Sequence, residues 1–192
     1  MADKTLTIEI QNELRKPFPE KLCYCKPGGF TNSDRTEAMV LTYLDARAVM
    51  ERLDEAVGPG NWSFDWIPVS DYRASLDSPA KLGVKGTLAV LGVSKSDAGQ
   101  ACDEEEPYKA AVSDALKRCA VHFGIGRYLY DMPFVKWPIE NKRFKDSRRL
   151  NALMVELATK IFEAGGEVAG IDLRRYQYTA SAAQDKPQDQ QH

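Results

Sequence analysis

The hydrophobic period of this chain changes twice between residues 43 and 123, and the order of those changes restricts the fold more than any other feature. From Tyr43 onward, Tyr43, Ala46, Val49, Met50, Leu53 and Val57 recur at spacings of three and four, predicting a helix capped by Thr42 and stopped by Gly58-Pro59. In Trp62-Ser63-Phe64-Asp65-Trp66 the aromatics alternate with polar residues at period two, which lines one face of a strand. Leu82 to Val93 is β-branched and glycine-spaced, a second and longer strand. Ser96-Asp97-Ala98-Gly99 reads as a turn, with Gly99 suited to positive φ, so that Gln100 begins a short returning strand. The helical period returns at Pro107, a good first helical residue behind the acidic run Asp103 to Glu106, and extends to His122 or Phe123 with Gly124 as its C-cap. A last helix from about Asp146 to Ala164 carries Leu150, Leu153, Leu157 and Ile161, and Gly165-Gly166 closes it. Helix, strands, helix, helix is the order of an α+β domain, with an antiparallel sheet of three or more strands packed on helices.

A chain of 192 residues with 43% hydrophobic content can bury one good core, and its length favours a single domain with appendages. Residues 1–40, broken by Pro17, Pro19, Pro27, Gly28 and Gly29, are expected as an N-terminal arm, and residues 41–165 as the folded domain. Residues 166–192 are expected as a flexible C-terminal tail, because the Gln, Asp, Ala and Ser that follow Tyr178 cannot offset the entropy of ordering. Every apolar stretch is much shorter than the roughly 20 residues of a membrane helix, so the expected location is the cytoplasm, in association with the nucleoid.

Charge and composition narrow the chemistry. Lys and Arg total 26 against 28 Asp and Glu, a net charge of -2, so a nucleic-acid site must be a local basic surface. Cys23, Cys25, Cys102 and Cys119 form neither a CxxC pair nor a disulfide scaffold and read as reduced thiols. Two histidines, His122 and His192, leave little material for a catalytic triad, and no HExxH, GxSxG or P-loop is present. No catalytic residue, metal site or cofactor is therefore expected. The acidic run Asp103 to Glu106 fits a solvated loop at a helix N-terminus better than a divalent-cation site, the reading a metal-dependent nuclease would need.

The helix after Pro107 carries the adjacent cations Lys117 and Arg118 opposite its apolar face. Phosphates suit such a pair, because Lys supplies a compact charge and Arg a bidentate fork. A surface ion pair between Asp114 and Arg118 at i,i+4 accounts for the same residues. A second basic cluster, Lys142, Arg143, Lys145, Arg148 and Arg149, opens the last helix, where positive charge opposes the helix dipole. Trp137, Tyr128 and Tyr130 are candidates either for base stacking or for a core or subunit interface.

Tyr43-Leu44-Asp45-Ala46, then Gly60-Asn61-Trp62-Ser63 entering a strand, then Lys109 to Arg118 and Phe123-Gly124, resemble the Rad fifty-two family of single-strand annealing proteins. Phe123-Gly124-Ile125-Gly126-Arg127-Tyr128-Leu129-Tyr130-Asp131 is similar to its bacterial and phage, DdrA-like branch, and the likeness spans about Lys16 to Lys145. The resemblance implies an antiparallel sheet on helices, identical subunits in rings, and single-stranded DNA held in a positively charged groove so that complementary strands can pair during double-strand break repair. It assigns Lys117 and Arg118 to the groove and Arg35 as a third groove arginine, and Lys109, Arg127 and Lys85 complete the candidate DNA-binding set. Where relatives carry a further basic residue four positions after the pair, this chain has His122, which either weakens phosphate binding at neutral pH or makes it rise as the ring protonates below about pH 6.5. The implied partners are single-stranded DNA and the chain itself. Protection of 3′ single-strand ends without annealing is the alternative, and a ring-forming structural protein without DNA affinity is the remaining class.

Overall fold

The structure is a computed structural model and describes residues 5–72, 81–101 and 106–178. In chain order the helices and strands are α1 (Ile8–Arg15), β1 (Cys23–Phe30), β2 (Glu37–Leu44), α2 (Ala46–Val57), β3 (Trp62–Tyr72), β4 (Lys81–Val90), β5 (Val93–Ala101), α3 (Pro107–Val121), β6 (Lys136–Glu140), β7 (Arg143–Phe144) and α4 (Ser147–Glu163). They divide between two compact units, Met1–Phe18 with Leu44–Tyr130, and Pro19–Tyr43 with Asp131–His192. The architecture is α+β with antiparallel pairing, as the order of periods predicts.

In the first unit β3, β4 and β5 form a three-stranded antiparallel sheet with α3 packed on one face. The hairpin joining β4 to β5 pairs Val90 with Val93. Its two loop residues, Leu91 (φ 49) and Gly92 (φ 82), are both left-handed, the geometry that matches strand twist in a two-residue turn. The turn expected at Ser96–Gly99 is therefore displaced, and those residues lie inside β5 opposite Thr87, Gly86, Lys85 and Val84. Gly99 serves close packing instead of turn geometry. A Cβ there would stand 2.2 Å from the Ala111 carbonyl oxygen and 2.4 Å from the Ala115 nitrogen. With Gly86 also beneath Ala115, α3 lies close on the sheet along Ala111 and Ala115, both fully buried.

The helix expected from Tyr43 begins at Ala46, because the Asp45 carboxylate, not Thr42, accepts the capping hydrogen bond from the Ala48 N–H at 2.7 Å. Tyr43 belongs to β2. In α1, part of the segment expected as an arm, Leu14 is fully buried. The helix end is held by Arg52, which donates to the carbonyls of Glu13, Lys16 and Pro17 at 3.1, 2.6 and 3.3 Å and lies 4.2 Å from the Phe18 ring centroid.

The second unit contains a four-stranded sheet in the order β1-β2-β6-β7, with Ala38 opposite Trp137 in the β2–β6 pairing. Leu150, Met154, Leu157 and Ile161 of α4, at helical spacing, share one core with Trp137 and Tyr176. Full burial of each large apolar side chain contributes about 1.5–3 kcal/mol. Burial also pushes the Cys25 thiol up to about 11, so it stays protonated. Cys25 and Cys119 are free thiols, Cys23 is buried, and Cys102 lies outside the described residues. The tail expected from residue 166 is ordered further than composition suggests. Tyr176 is 1% exposed, and Tyr178 meets the Trp137 ring edge-on at 5.2 Å. Residues 179–192 lie outside the described residues.

Candidate nucleic-acid interface

The helix α3 fixes the candidate site through its spacing. Its buried stripe is Ala111, Ala115, Leu116, Cys119 and Ala120, which leaves Lys117 half-buried and Arg118 exposed beside it. Lys117 makes no hydrogen bond or ion pair among the described residues. Arg118 is already engaged, though not by Asp114. Its Nε and Nη2 donate to Oδ1 of Asp97 on β5 at 3.2 and 3.1 Å. The other oxygen of the same carboxylate meets Nε2 of His122 at 3.1 Å. Asp114 instead accepts from the Gln100 N–H at 3.3 Å, tying α3 to β5 one turn earlier.

The electrostatics follow from these contacts. Partial burial alone would raise the Asp97 carboxyl, but the Ala98 N–H together with Arg118 and His122 outweighs it and holds the group below the ordinary carboxylate range. The hydrogen bond to Asp97 in turn raises Arg118. Asp97 is thus an ionised acceptor, and a neutral His122 must carry its proton on Nε2 to reach it.

The remaining sequence candidates fall in different places. Lys109, in the first turn of α3, pairs with Glu106 at 2.7 Å and sits about 12 Å along the helix from Lys117. Arg127 donates to the Val121 carbonyl at 3.0 and 2.7 Å and to the His122 carbonyl at 3.2 Å, satisfying the orphan acceptors at the end of α3. Lys85 alternates with Val84 and Gly86, which face α3, so it projects from the opposite, open face of the sheet. Arg35 belongs to the second unit, in the turn between β1 and β2, with φ 55 and its guanidinium 5.5 Å from the Phe30 ring centroid. Of the aromatics, Trp137 is fully buried with its indole N–H on the Lys145 carbonyl at 2.7 Å, and Tyr128 is 5% exposed with its hydroxyl accepting from the Phe18 N–H. Both are core residues. Tyr130, at 70% exposure, is open to solvent. Asp97 escaped the sequence reading because its neighbours have turn chemistry; the alternation of β5 with the glycines of β4 is the signal that would have placed it facing α3.

Among the described residues no group of three or more His, Cys, Asp or Glu is arranged to hold a metal ion, and no helix is long and apolar enough to cross a membrane. Asp103, Glu104 and Glu105 lie outside the described residues.

A three-stranded antiparallel sheet carrying a close-packed helix, with an adjacent pair of cations on that helix's outer side, defines an α+β protein. Residues 7–148 match the family model described as Rad52/22 family double-strand break repair protein, and the chain belongs to that family. It is 50% identical over 126 residues to the single-stranded DNA-binding protein DdrA of Deinococcus radiodurans, covering 65% of this chain and 56% of the relative. It is 48% identical over 132 residues to the protein of the same name from Deinococcus deserti, covering 67% of this chain and 61% of the relative. The aligned region thus spans under two thirds of each relative's length.

Proposed function

We propose that this chain binds single-stranded DNA along the cationic side of α3 and, as a homo-oligomeric ring, promotes annealing of complementary strands in double-strand break repair, in the nucleoid-associated cytoplasm. The observation that carries the reading is the placement of Lys117 and Arg118 side by side, clear of the buried stripe, with the Lys117 ammonium unpaired among the described residues. The names of the relatives and the family description support the same ligand and process. Lys109 and Arg127 add positive charge along and at the end of the same helix, while Lys85, on the opposite face of the sheet, and Arg35, in the second unit, are separate candidates.

No bond is made or broken in this mechanism. Cations neutralise the repulsion between two phosphate backbones, the strand is held extended, and its bases stay open to trial pairing. Each phosphate neutralised contributes about 0.7 to the slope of log affinity against log salt for a single strand. The double variant Lys117→Ala, Arg118→Ala should therefore lower that slope by about 1.4 in an oligo-dT anisotropy titration, with the fold intact by circular dichroism. An unchanged slope removes both residues from the interface. Annealing is read separately with complementary labelled oligonucleotides. Binding that shields 3′ ends from an exonuclease without accelerating annealing would replace the annealing role by end protection. Sedimentation and electron microscopy test the ring.

A further inference from the structure

The Asp97 carboxylate sits between the two basic side chains nearest to it and gives one oxygen to each. Oδ1 takes both Arg118 contacts and the Ala98 N–H, at 2.7 Å, while Oδ2 takes His122. Asp97 is only 22% exposed, whereas Arg118 and His122 are 47% and 46% exposed, so the acid lies inside and both bases present their outer edges to solvent. A phosphate approaching from solvent meets Arg118 already committed to a carboxylate whose charge repels the phosphate. Arg118 offers both Nε and Nη2 to a single oxygen, and that fork is the one a phosphate would need.

We propose that Asp97 is a built-in competitor for Arg118, and that His122 is the proton-controlled partner that takes over Asp97 when Arg118 turns to a phosphate. The inference rests on the DNA-binding reading above and adds how its principal arginine is regulated. When the strand binds, Arg118 exchanges a carboxylate for a phosphate. Asp97 keeps the Ala98 N–H and His122, and the lost guanidinium charge is replaced by a proton taken from solvent onto Nδ1 of His122. Binding is thereby coupled to proton uptake and tightens as pH falls through the range in which histidines titrate.

Of the charged groups around His122, Arg127 donates to the His122 backbone carbonyl at 3.2 Å and is a fixed cation at the end of α3. Cys119, beside Asp97 on α3, is pushed up by burial and stays a neutral thiol. From β4, Gly86 faces Asp97 and brings no charge. Asp114 and Tyr130 act on Arg118 from farther off, and Lys95 of β5 has its ammonium 5.6 Å from the Phe123 ring centroid.

The test compares the wild type with Asp97→Asn and His122→Gln, using oligo-dT anisotropy between pH 6 and 8 at fixed low salt. Asp97→Asn should bind about threefold tighter at pH 8, the scale on which an exposed ion pair competes. The wild type should gain affinity toward pH 6, and His122→Gln should lose that gain. Asp97→Asn binding equally or more weakly while folded, or a pH profile unaffected by His122→Gln, overturns the inference but leaves the binding site standing. A wild type with no affinity for oligo-dT at low salt overturns both.

Discussion

The two helix-on-sheet layers of this chain are built by opposite means. In the first unit α3 lies on small residues: glycines at 86 and 99 beneath alanines at 111 and 115, with backbone atoms of the helix within 2.4 Å of where a Cβ of Gly99 would be. In the second unit α4 stands on large side chains, Leu150, Met154, Leu157 and Ile161 interlocked with Trp137 and Tyr176. Close approach brings charged side chains of strand and helix within hydrogen-bond reach, and the Asp97, Arg118 and His122 cluster exists because of it. The cations at the start of α4 are left almost without acids: Lys145 pairs loosely with Glu140 at 3.7 Å, while Lys142, Arg143 and Arg148 have no ion pair among the described residues. Basic residues are therefore equally visible in both segments of sequence, but of those on α3 and α4 only Arg118, among the described residues, is held by a carboxylate of a strand.

The contrast can be broken at its packing. Leu157→Ala in α4 should cost about 2–5 kcal/mol through the cavity it leaves, read from the urea midpoint of the whole chain. Gly99→Ala changes volume in the other direction and should still destabilise, near the top of the usual range of about 1–3 kcal/mol for overpacking, because the atoms it meets belong to the α3 backbone and cannot rotate away. A Gly99→Ala chain as stable as the wild type would refute the close approach on which the Asp97 cluster depends.

Electrostatics sharpens the comparison with smaller effects. Arg148→Glu in the first turn of α4 replaces an unfavourable charge by a favourable one and should stabilise by about 0.3–1 kcal/mol at low salt, fading as salt is added. The acid response of Asp97 should be smaller still. Its folded value lies below the ordinary 3.8, so its contribution is present above that pH and is lost as pH falls through the folded value. The stability gap between the wild type and Asp97→Asn, measured by urea titration, should accordingly be present at pH 6 and close on acidification below about pH 4.

Legibility in the sequence followed the range of the interactions involved. The helices α3 and α4 were readable from their period and from Pro107, Gly124 and Gly165, since caps and apolar stripes act within one or two turns. The strands β3 and β4 were readable from alternation. By contrast β1, β2, β6 and β7 were missed. β1 contains Pro27-Gly28-Gly29, residues that read as breakers but are tolerated at the edge of a sheet, where β1 lies. β7 has only two residues, too few for any period. Tyr128 and Trp137 could be named as important aromatics from sequence, but their assignment to the core required knowledge of what covers them.

By itself the sequence determined which residues can be cationic, which helical face must be apolar, and hence that Lys117 and Arg118 point away from the α3 core. These properties are set by covalent spacing along a helix of 3.6 residues per turn. Only the tertiary structure decided the partner of Arg118. Asp97 is 21 residues away in sequence, with local chemistry that favours a turn, and it faces α3 because the Leu91-Gly92 hairpin fixes the register of β5 against β4. A register is a non-local choice in which a shift of one residue would turn Asp97 to the opposite face.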